Sequence, residues 1–321
     1  QDESRDRLEG NVSFGGPILR DKLFFFAFAR YVDTSLVEMY STTADLHATT
    51  DPYWGAKIDW NITQSHRIEG TYLSDAVDVE FTRWDYDSEV REIGDVRGTG
   101  IRSRGGENVI LKYTGVLTDA FLLSAQAGRN EFDRHNFTEG DQCPYARDYR
   151  DEVTVNLGCW VRSSQGDNWD VRNAYRLDLD WFVASHEFRA GADYERNESW
   201  SDTQYSGGVG YFYYINGDER NDPSTYMFPD QPWDLEIARI RYYQRGGLYP
   251  VNSSAAYIQD SWQALTDLTV NLGLRWERYE NKNSLGETFI ETSDQWAPRI
   301  GVIWDVSGRG SSKLFASAGL Y

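Results

Sequence analysis

Tyr175-Arg176-Leu177-Asp178-Leu179-Asp180-Trp181-Phe182-Val183 alternates apolar and charged residues until its last two positions. Across Ala184-Ser185, the stretch Glu187-Phe188-Arg189-Ala190-Gly191-Ala192-Asp193-Tyr194-Glu195 does the same. Side chains of an extended chain switch faces at every residue, so each stretch is a strand with one apolar and one polar face. The short link makes the pair an antiparallel hairpin. Leu111–Leu117 and Leu268–Glu277 repeat the pattern, and helical periodicity is nearly absent.

The connections sort by length. Tight turns are read at 17–22, 63–65, 118–119, 184–185, 264–267 and 307–312, and long links at 37–50, 84–104, 138–168, 204–250 and 283–294. Short and long take turns, which gives about twelve antiparallel strands with all tight turns at one end. A water-soluble sandwich has no reason to sort its loops this way, whereas an outer-membrane barrel has short periplasmic turns and long extracellular loops. The reading is therefore all-β, an antiparallel transmembrane β-barrel.

Composition permits this and excludes other classes. The 321 residues carry 32 Lys+Arg against 51 Asp+Glu, a net charge of −19, which argues against a nucleic-acid backbone as partner. Aromatics make up 15%, too many for a disordered chain. The longest apolar run, Leu23–Ala29, is far short of the ~20 residues of a membrane helix, but alternating strands average out as hydrophilic. Trp54 and Trp60 share a strand face, as do Trp169 and Trp181, and Trp296 and Trp304. Six to twelve residues of tilted strand span roughly 14–28 Å, which brackets an apolar band about 25 Å tall. Trp54, Trp60, Trp181, Trp276 and Trp304 are thus expected in lipid-facing girdles, with Asp59, Asp178, Asp180 and Arg275 on the lumen side. Six of the eight prolines fall in connections; Pro52 and Pro298 sit near strand starts.

Two stretches resemble a known family. Asn11-Val12-Ser13-Phe14-Gly15-Gly16-Pro17-Ile18-Leu19-Arg20-Asp21-Lys22-Leu23-Phe24-Phe25-Phe26 is similar to the hairpin that opens the barrel of Oar-like TonB-dependent outer-membrane receptors. Tyr257-Ile258-Gln259-Asp260-Ser261-Trp262, then Leu268–Glu277, then Trp296-Ala297-Pro298-Arg299-Ile300-Gly301 resembles a later barrel segment of the same receptors. The likeness covers residues 10–35 and 255–321. It implies a barrel of about 22 strands, of which the chain would hold the N-terminal half. It also implies a plug and TonB box ahead of the barrel, so that residues 1–9 lead in from a plug and 10–321 form part of the barrel. The expected localisation is the outer membrane of a Gram-negative bacterium. The implied partners are outer-membrane lipid, an extracellular ligand, and an inner-membrane energy-coupling complex reached through the N-terminal parts.

No catalytic constellation is found, so no enzyme is expected. His47, His66, His135 and His186 are isolated, and His66 and His186 at tight turns read as solvated. Gly308-Arg309-Gly310-Ser311-Ser312-Lys313 has its Lys after the serines and leads into a strand, so it is a turn rather than a phosphate loop. No cofactor is expected. The segment 75–95, a loop with its flanking strand, holds eight carboxylates against Arg83 and Arg91; it reads as a solvated acidic face in preference to a Ca²⁺ site, for it lacks an Asp-x-Asp-x-Asp-Gly run. The loop 204–250 carries Tyr205, Tyr211, Phe212, Tyr213, Tyr214 and Trp233, which either stack on a sugar or peptide ligand or pack on each other.

The leading reading is a TonB-dependent receptor-transporter whose long loops capture a ligand for import or export. The alternative is a plug-less porin or a structural outer-membrane surface protein. The final strand climbs toward the loop end, so the sheet is expected to stay open in these residues and to be completed by about ten further strands.

The two cysteines, Cys143 and Cys159, lie in one long loop of an exported chain and permit a single pairing. The bridge should stabilise that loop by roughly 3 kcal/mol on the chain-entropy model. Mass spectrometry of a non-reduced digest is expected to return the two peptides linked; both thiols free would refute the pairing.

Overall fold

The computed structural model describes residues 3–151, 154–216, 231–232 and 234–320. Period-two alternation dictates strands, and nineteen form: β1 (Ser4–Leu19), β2 (Leu23–Met39), β3 (Thr43–Thr49), β4 (Tyr53–Asn61), β5 (His66–Ser74), β6 (Val77–Asp87), β7 (Glu92–Gly105), β8 (Glu107–Thr118), β9 (Phe121–Thr138), β10 (Tyr145–Asp148), β11 (Val155–Leu157), β12 (Ser164–Val183), β13 (His186–Tyr205), β14 (Gly210–Ile215), β15 (Glu236–Arg241), β16 (Gln244–Leu265), β17 (Leu268–Lys282), β18 (Thr288–Asp305) and β19 (Lys313–Gly319). Fifteen of these make one antiparallel sheet and four make a second, small one.

The large sheet is a meander of twelve ranks, three of which are broken in two. β3 and β4 lie end to end along the same edge of β2, β5 and β6 form the next rank, and β7 and β8 the one after. β9 then pairs with β8 along its lower half and β7 along its upper half. From β9 onward the order is simply β12, β13, β16, β17, β18 and β19. Ser4–Glu9, within the stretch that the resemblance assigns to a lead-in from a plug, are strand and pair with Val32–Val37. Among the described residues β1 pairs only with β2 and β19 only with β18, so each leaves one edge open.

The register separates the two faces cleanly. One row of successive partners runs Leu23, Trp60, Ile68, Tyr113, Ala125, Leu177, Ala192, Ala256, Trp276, Trp296. The adjoining row, one residue along, runs Phe24, Asp59, Glu69, Lys112, Gln126, Arg176, Asp193, Ala255, Glu277, Gln295. Paired residues share a face, so one side is apolar throughout and the other polar almost throughout. The apolar row begins beside the tight turns at Leu23 and Trp60 and ends midway along β17 and β18 at Trp276 and Trp296. That climb is the strand tilt of a barrel wall. Trp54, Trp60, Trp181, Trp276 and Trp304 all lie on the apolar side, and Asp59, Asp178, Asp180 and Arg275 on the other. The apolar side is open: Leu111 is 55% exposed, Ile258 54% and Trp296 56%.

The polar face satisfies itself. Lys57 and Arg67 hold Asp59 and Glu69 at 2.9–3.0 Å. Arg176 binds Asp178 at 2.7 Å, Tyr257 donates to Asp178 at 2.6 Å, and Arg275 spans Glu277 (2.6 Å) and Asp193 (3.5 Å). The two histidines at tight turns are engaged rather than idly solvated. His66 Nδ1 lies 2.7 Å from the Tyr113 hydroxyl, and His186 Nδ1 lies 2.7 Å from Asp260 with its ring stacked between Phe188 and Trp262.

The three broken ranks break side by side. Asp51 accepts from the Asp78 amide at 2.6 Å, and Asp75 accepts from the Gly106 amide at 3.0 Å. Gly105 has φ +86°, a left-handed conformation, and a Cβ added to Gly106 would collide with the carbonyl of Glu131 on β9. Gly106→Val should therefore cost about 1–3 kcal/mol and lower the temperature at which the folded, fast-migrating band on a detergent gel converts to the unfolded one. Gly70→Val, with nothing within 4 Å of its Cβ, should not. Equal behaviour of the two variants would show that the break tolerates a side chain.

Candidate functional site in the long loops

Among the described residues, most buried side chains gather at the long-loop end, with Val32 and Ala255 buried in the wall. Ala44, Asp45, His47, Val77, Val79, Phe81, Trp160, Val161, Ser206, Phe212 and Asn216 are all under 9% exposed. The segment 75–95 keeps Asp78, Glu80, Asp85 and Asp87 exposed on its outer face. Val77, Val79 and Phe81 alternate inward, so the chain continues as the β6–β7 hairpin. Its carboxylates disperse: Asp85 pairs with Arg97 at 2.9 Å, and Asp87 accepts from the amides of Glu89 and Val90. Among the described residues no three His, Cys, Asp or Glu side chains converge.

The two largest loops fold together. Cys143 and Cys159 are bonded, with Cα atoms 5.5 Å apart, and the bridge closes the β10–β11 hairpin. β14 and β15, from the 204–250 loop, add to it, and β10 pairs with β14 in parallel to give the order β11-β10-β14-β15. The sheet is held by aromatic packing. The Tyr145 ring lies 4.6 Å from Trp160 edge-on and 5.5 Å from both Tyr205 and Phe212, and Tyr149 stacks on Tyr214 at 5.1 Å. Of the residues read as ligand contacts, Phe212 is core, Tyr205 is half-buried against Tyr145, Tyr214 is half-buried against Tyr149, and Tyr211 and Tyr213 lie on the opposite face of the small sheet. Trp233 lies outside the described residues.

A buried ionic knot fastens this assembly to the barrel ranks. Asp45 on β3 is 1% exposed and accepts two 2.6 Å bonds from Arg83 on β6, with Arg162 at 3.6 Å. Arg83 also donates to the Val161 carbonyl (2.8 Å), and Arg97 donates to the Trp160 carbonyl (3.0 Å) while its guanidinium lies 4.4 Å over the Trp160 ring. Burial, then Arg102 and Arg83, pushes the Arg162 guanidinium down to about 10, so it stays cationic at neutral pH. Burial likewise lowers His47 below its usual range against the pull of Asp45 and Glu38, which keeps it neutral at pH 7. Nothing in the sequence around Asp45 distinguishes it from the exposed acids nearby. Its only signal is the apolar spacing of Val77, Val79 and Phe81 on the partner strand.

A carboxylate serving two guanidiniums in a dry site is costly to remove. Asp45→Ala should cost about 3–5 kcal/mol, since Arg83 and Arg162 would be left buried without a counter-charge. Replacing the pair together, Asp45→Leu with Arg83→Leu, should recover much of that. Limited proteolysis of the loops is the readout, and a loop assembly as resistant in Asp45→Ala as in the parent would dismiss the knot as its fastening.

The geometry on the page is a tilted antiparallel wall with one apolar face, tight turns at one end and a folded loop body at the other. Comparison with known proteins gives the same architecture. The outer membrane β-barrel transporter YddB of Escherichia coli superposes with a TM-score of 0.58 at 12% identity, over 98% of this chain and 38% of that one. The ferripyoverdine receptor of Pseudomonas aeruginosa superposes at 0.57 and 14%, over 98% and 40%. In sequence, the TonB-dependent transporter Oar of Myxococcus xanthus is 27% identical over 150 residues, 43% of this chain and 13% of that protein. The chain therefore spans well under half the length of the relatives it matches. Residues 33–289, most of the chain, match the family described as outer membrane beta barrel domain. With that match, a wall of this construction is placed in the outer membrane of a Gram-negative cell, and the chain belongs to the outer membrane β-barrel domain family.

Proposed function

We propose that the chain is part of the barrel of a TonB-dependent receptor-transporter, and that its co-folded loops capture an extracellular ligand that the protein moves across the outer membrane. The observation that carries this reading is the loop body. Two long loops from separate hairpins, pinned by a disulfide and a buried ionic knot, build a fixed surface at the extracellular end. A passive pore has no need of such a surface. The likeness to Oar and to solved receptor barrels supports the same assignment. No catalytic role enters it.

The apolar row meets lipid in this reading, with Trp54, Trp60, Trp181, Trp276 and Trp304 at the headgroup levels and the charged row lining the lumen. The two open edges, β1 and β19, have no water to satisfy them in hydrocarbon, where each free backbone group costs several kcal/mol. Further strands complete the wall, and a globular plug ahead of the barrel fills its lumen and links it to the energy-coupling complex.

Conductance separates a gated receptor from an open porin. The complete protein in a planar bilayer should pass no steady current, and removal of the globular part ahead of the barrel should open it. Constant conductance by the complete protein would instead support the porin. In cells, loss of the coupling protein should abolish transport without lowering the amount of receptor in the outer membrane.

A further inference from the structure

The polar face of the wall changes character toward its loop end. From Gln126, Arg176, Asp193 and Ala255 the register climbs in steps of two residues, first past Asn130, Arg172, Asn197 and Val251. The next row on the same face is Phe132, Asp170, Ser199 and Tyr249. Even steps keep the face, so both rows look into the lumen with Asp178 and Arg275. Phe132 lies eleven residues beyond Phe121, the first residue of β9. On a strand tilted by about 45° that is roughly 26 Å, which reaches the top of an apolar band about 25 Å tall.

These two rows line a cavity of about 330 Å³, within the range of small-ligand sites. One register row crosses it on β9, β12, β13 and β16, with a ring at each end and polar groups between. Phe132 and Tyr249 stand about 14 Å apart at three strand spacings. They are 41% and 38% exposed. The Arg134 guanidinium bonds Asp170 at 2.7 Å and lies 5.7 Å over the Phe132 ring, which fixes that ring from one side. Arg172 holds Glu195 through two bonds. The charges of the floor are therefore matched in pairs, and Asn130, Asn197 and Ser199 set half-buried amide and hydroxyl groups beside them.

We propose that this cavity binds a neutral oligosaccharide, its outer rings stacked on Phe132 and Tyr249 and its hydroxyls bonded by the floor between them. Sugar hydroxyls donate and accept at once, as do the amide and hydroxyl side chains of the floor. The C–H face of a sugar ring is apolar and fits an aromatic face, and two aromatic faces set apart select a chain of rings over a single one. A charged ligand meets no net charge, because Asp170 and Arg172 already have partners. An extended peptide adds to a free strand edge, and β9, β12, β13 and β16 are each paired on both sides. The proposal deepens the transporter reading and rests on it for the passage of the sugar, but binding itself needs neither membrane nor energy source.

The test is calorimetric titration of the complete protein, in a detergent without a sugar headgroup, with neutral di- to tetrasaccharides of glucose, galactose, mannose and N-acetylglucosamine. Saturable binding of at least one is expected, unchanged at high salt. It should be about tenfold weaker or more in Phe132→Ala with Tyr249→Ala, and weaker in Asn197→Ala. Asn173→Ala removes an amide from the opposite face of the wall and should bind as the parent does. An unchanged heat shift of the folded band on a detergent gel checks each variant. No saturable binding by any of these sugars, equal affinity in the double variant, equal loss in Asn173→Ala, or equal binding of N-acetyl-triglycine amide would overturn the assignment. Constant conductance by the complete protein would overturn the transporter reading and leave the sugar titration as it stands.

Discussion

Everything in the wall follows from one constraint: in hydrocarbon every backbone N–H and C=O must be paired within the protein. Strands meet it only by pairing on both sides, and pairing fixes the register. With a side-chain period of two, the register then decides which residues meet lipid. A slip of one residue would put Asp59, Glu69, Arg176, Asp193 and Glu277 where Trp60, Ile68, Leu177, Ala192 and Trp276 now stand. A cation at mid-bilayer costs about 2–4 kcal/mol, and several would shift at once, so the register is overdetermined.

Beyond the apolar band the constraint lapses and another replaces it. Loop backbone in water needs no partner, so long loops become ordered only if they bury enough apolar surface to offset the entropy lost. This chain solves the problem by pooling two loops. β9 and β13 both rise toward the loop end, so the strands that continue from them, β10 and β14, leave in the same direction and pair in parallel. The disulfide returns the first loop at Cys159, Trp160 packs on Tyr145, and the Arg162 guanidinium lies over Phe81.

The wall was legible because its physics is local. Alternation along Tyr175–Val183 and Leu268–Glu277, and the strict sorting of connections, suffice for the strand order, the faces and the end at which loops gather. The loop body was not legible, because its contacts join residues far apart in the chain. Asp45 meets Arg83 and Arg162, and Tyr145 meets Phe212, with no periodic signal linking them. The acidic run from Asp75 to Asp95 has the same limit: its exposed carboxylates follow from the alternation, but nothing in it tells what Val77, Val79 and Phe81 are buried against. Charge on one face of a hairpin says nothing about what the other face buries.

The ionic knot also limits how the loop body can behave. A lid that opens must break its attachments cheaply, so mobile segments are tied by few buried contacts. Here the disulfide hairpin is fastened through the carbonyls of Trp160 and Val161 to Arg97 and Arg83, and Arg83 is itself clamped by a carboxylate that is 1% exposed. Lifting the hairpin would break the bonds of Arg83 and Arg97 to its carbonyls and draw the buried Arg162 away from Asp45, its nearest counter-charge, while the Asp45–Arg83 pair stayed on the wall. Motion in this half of the molecule therefore belongs to segments other than this hairpin. The β10–β14 surface is a fixed platform at the loop end.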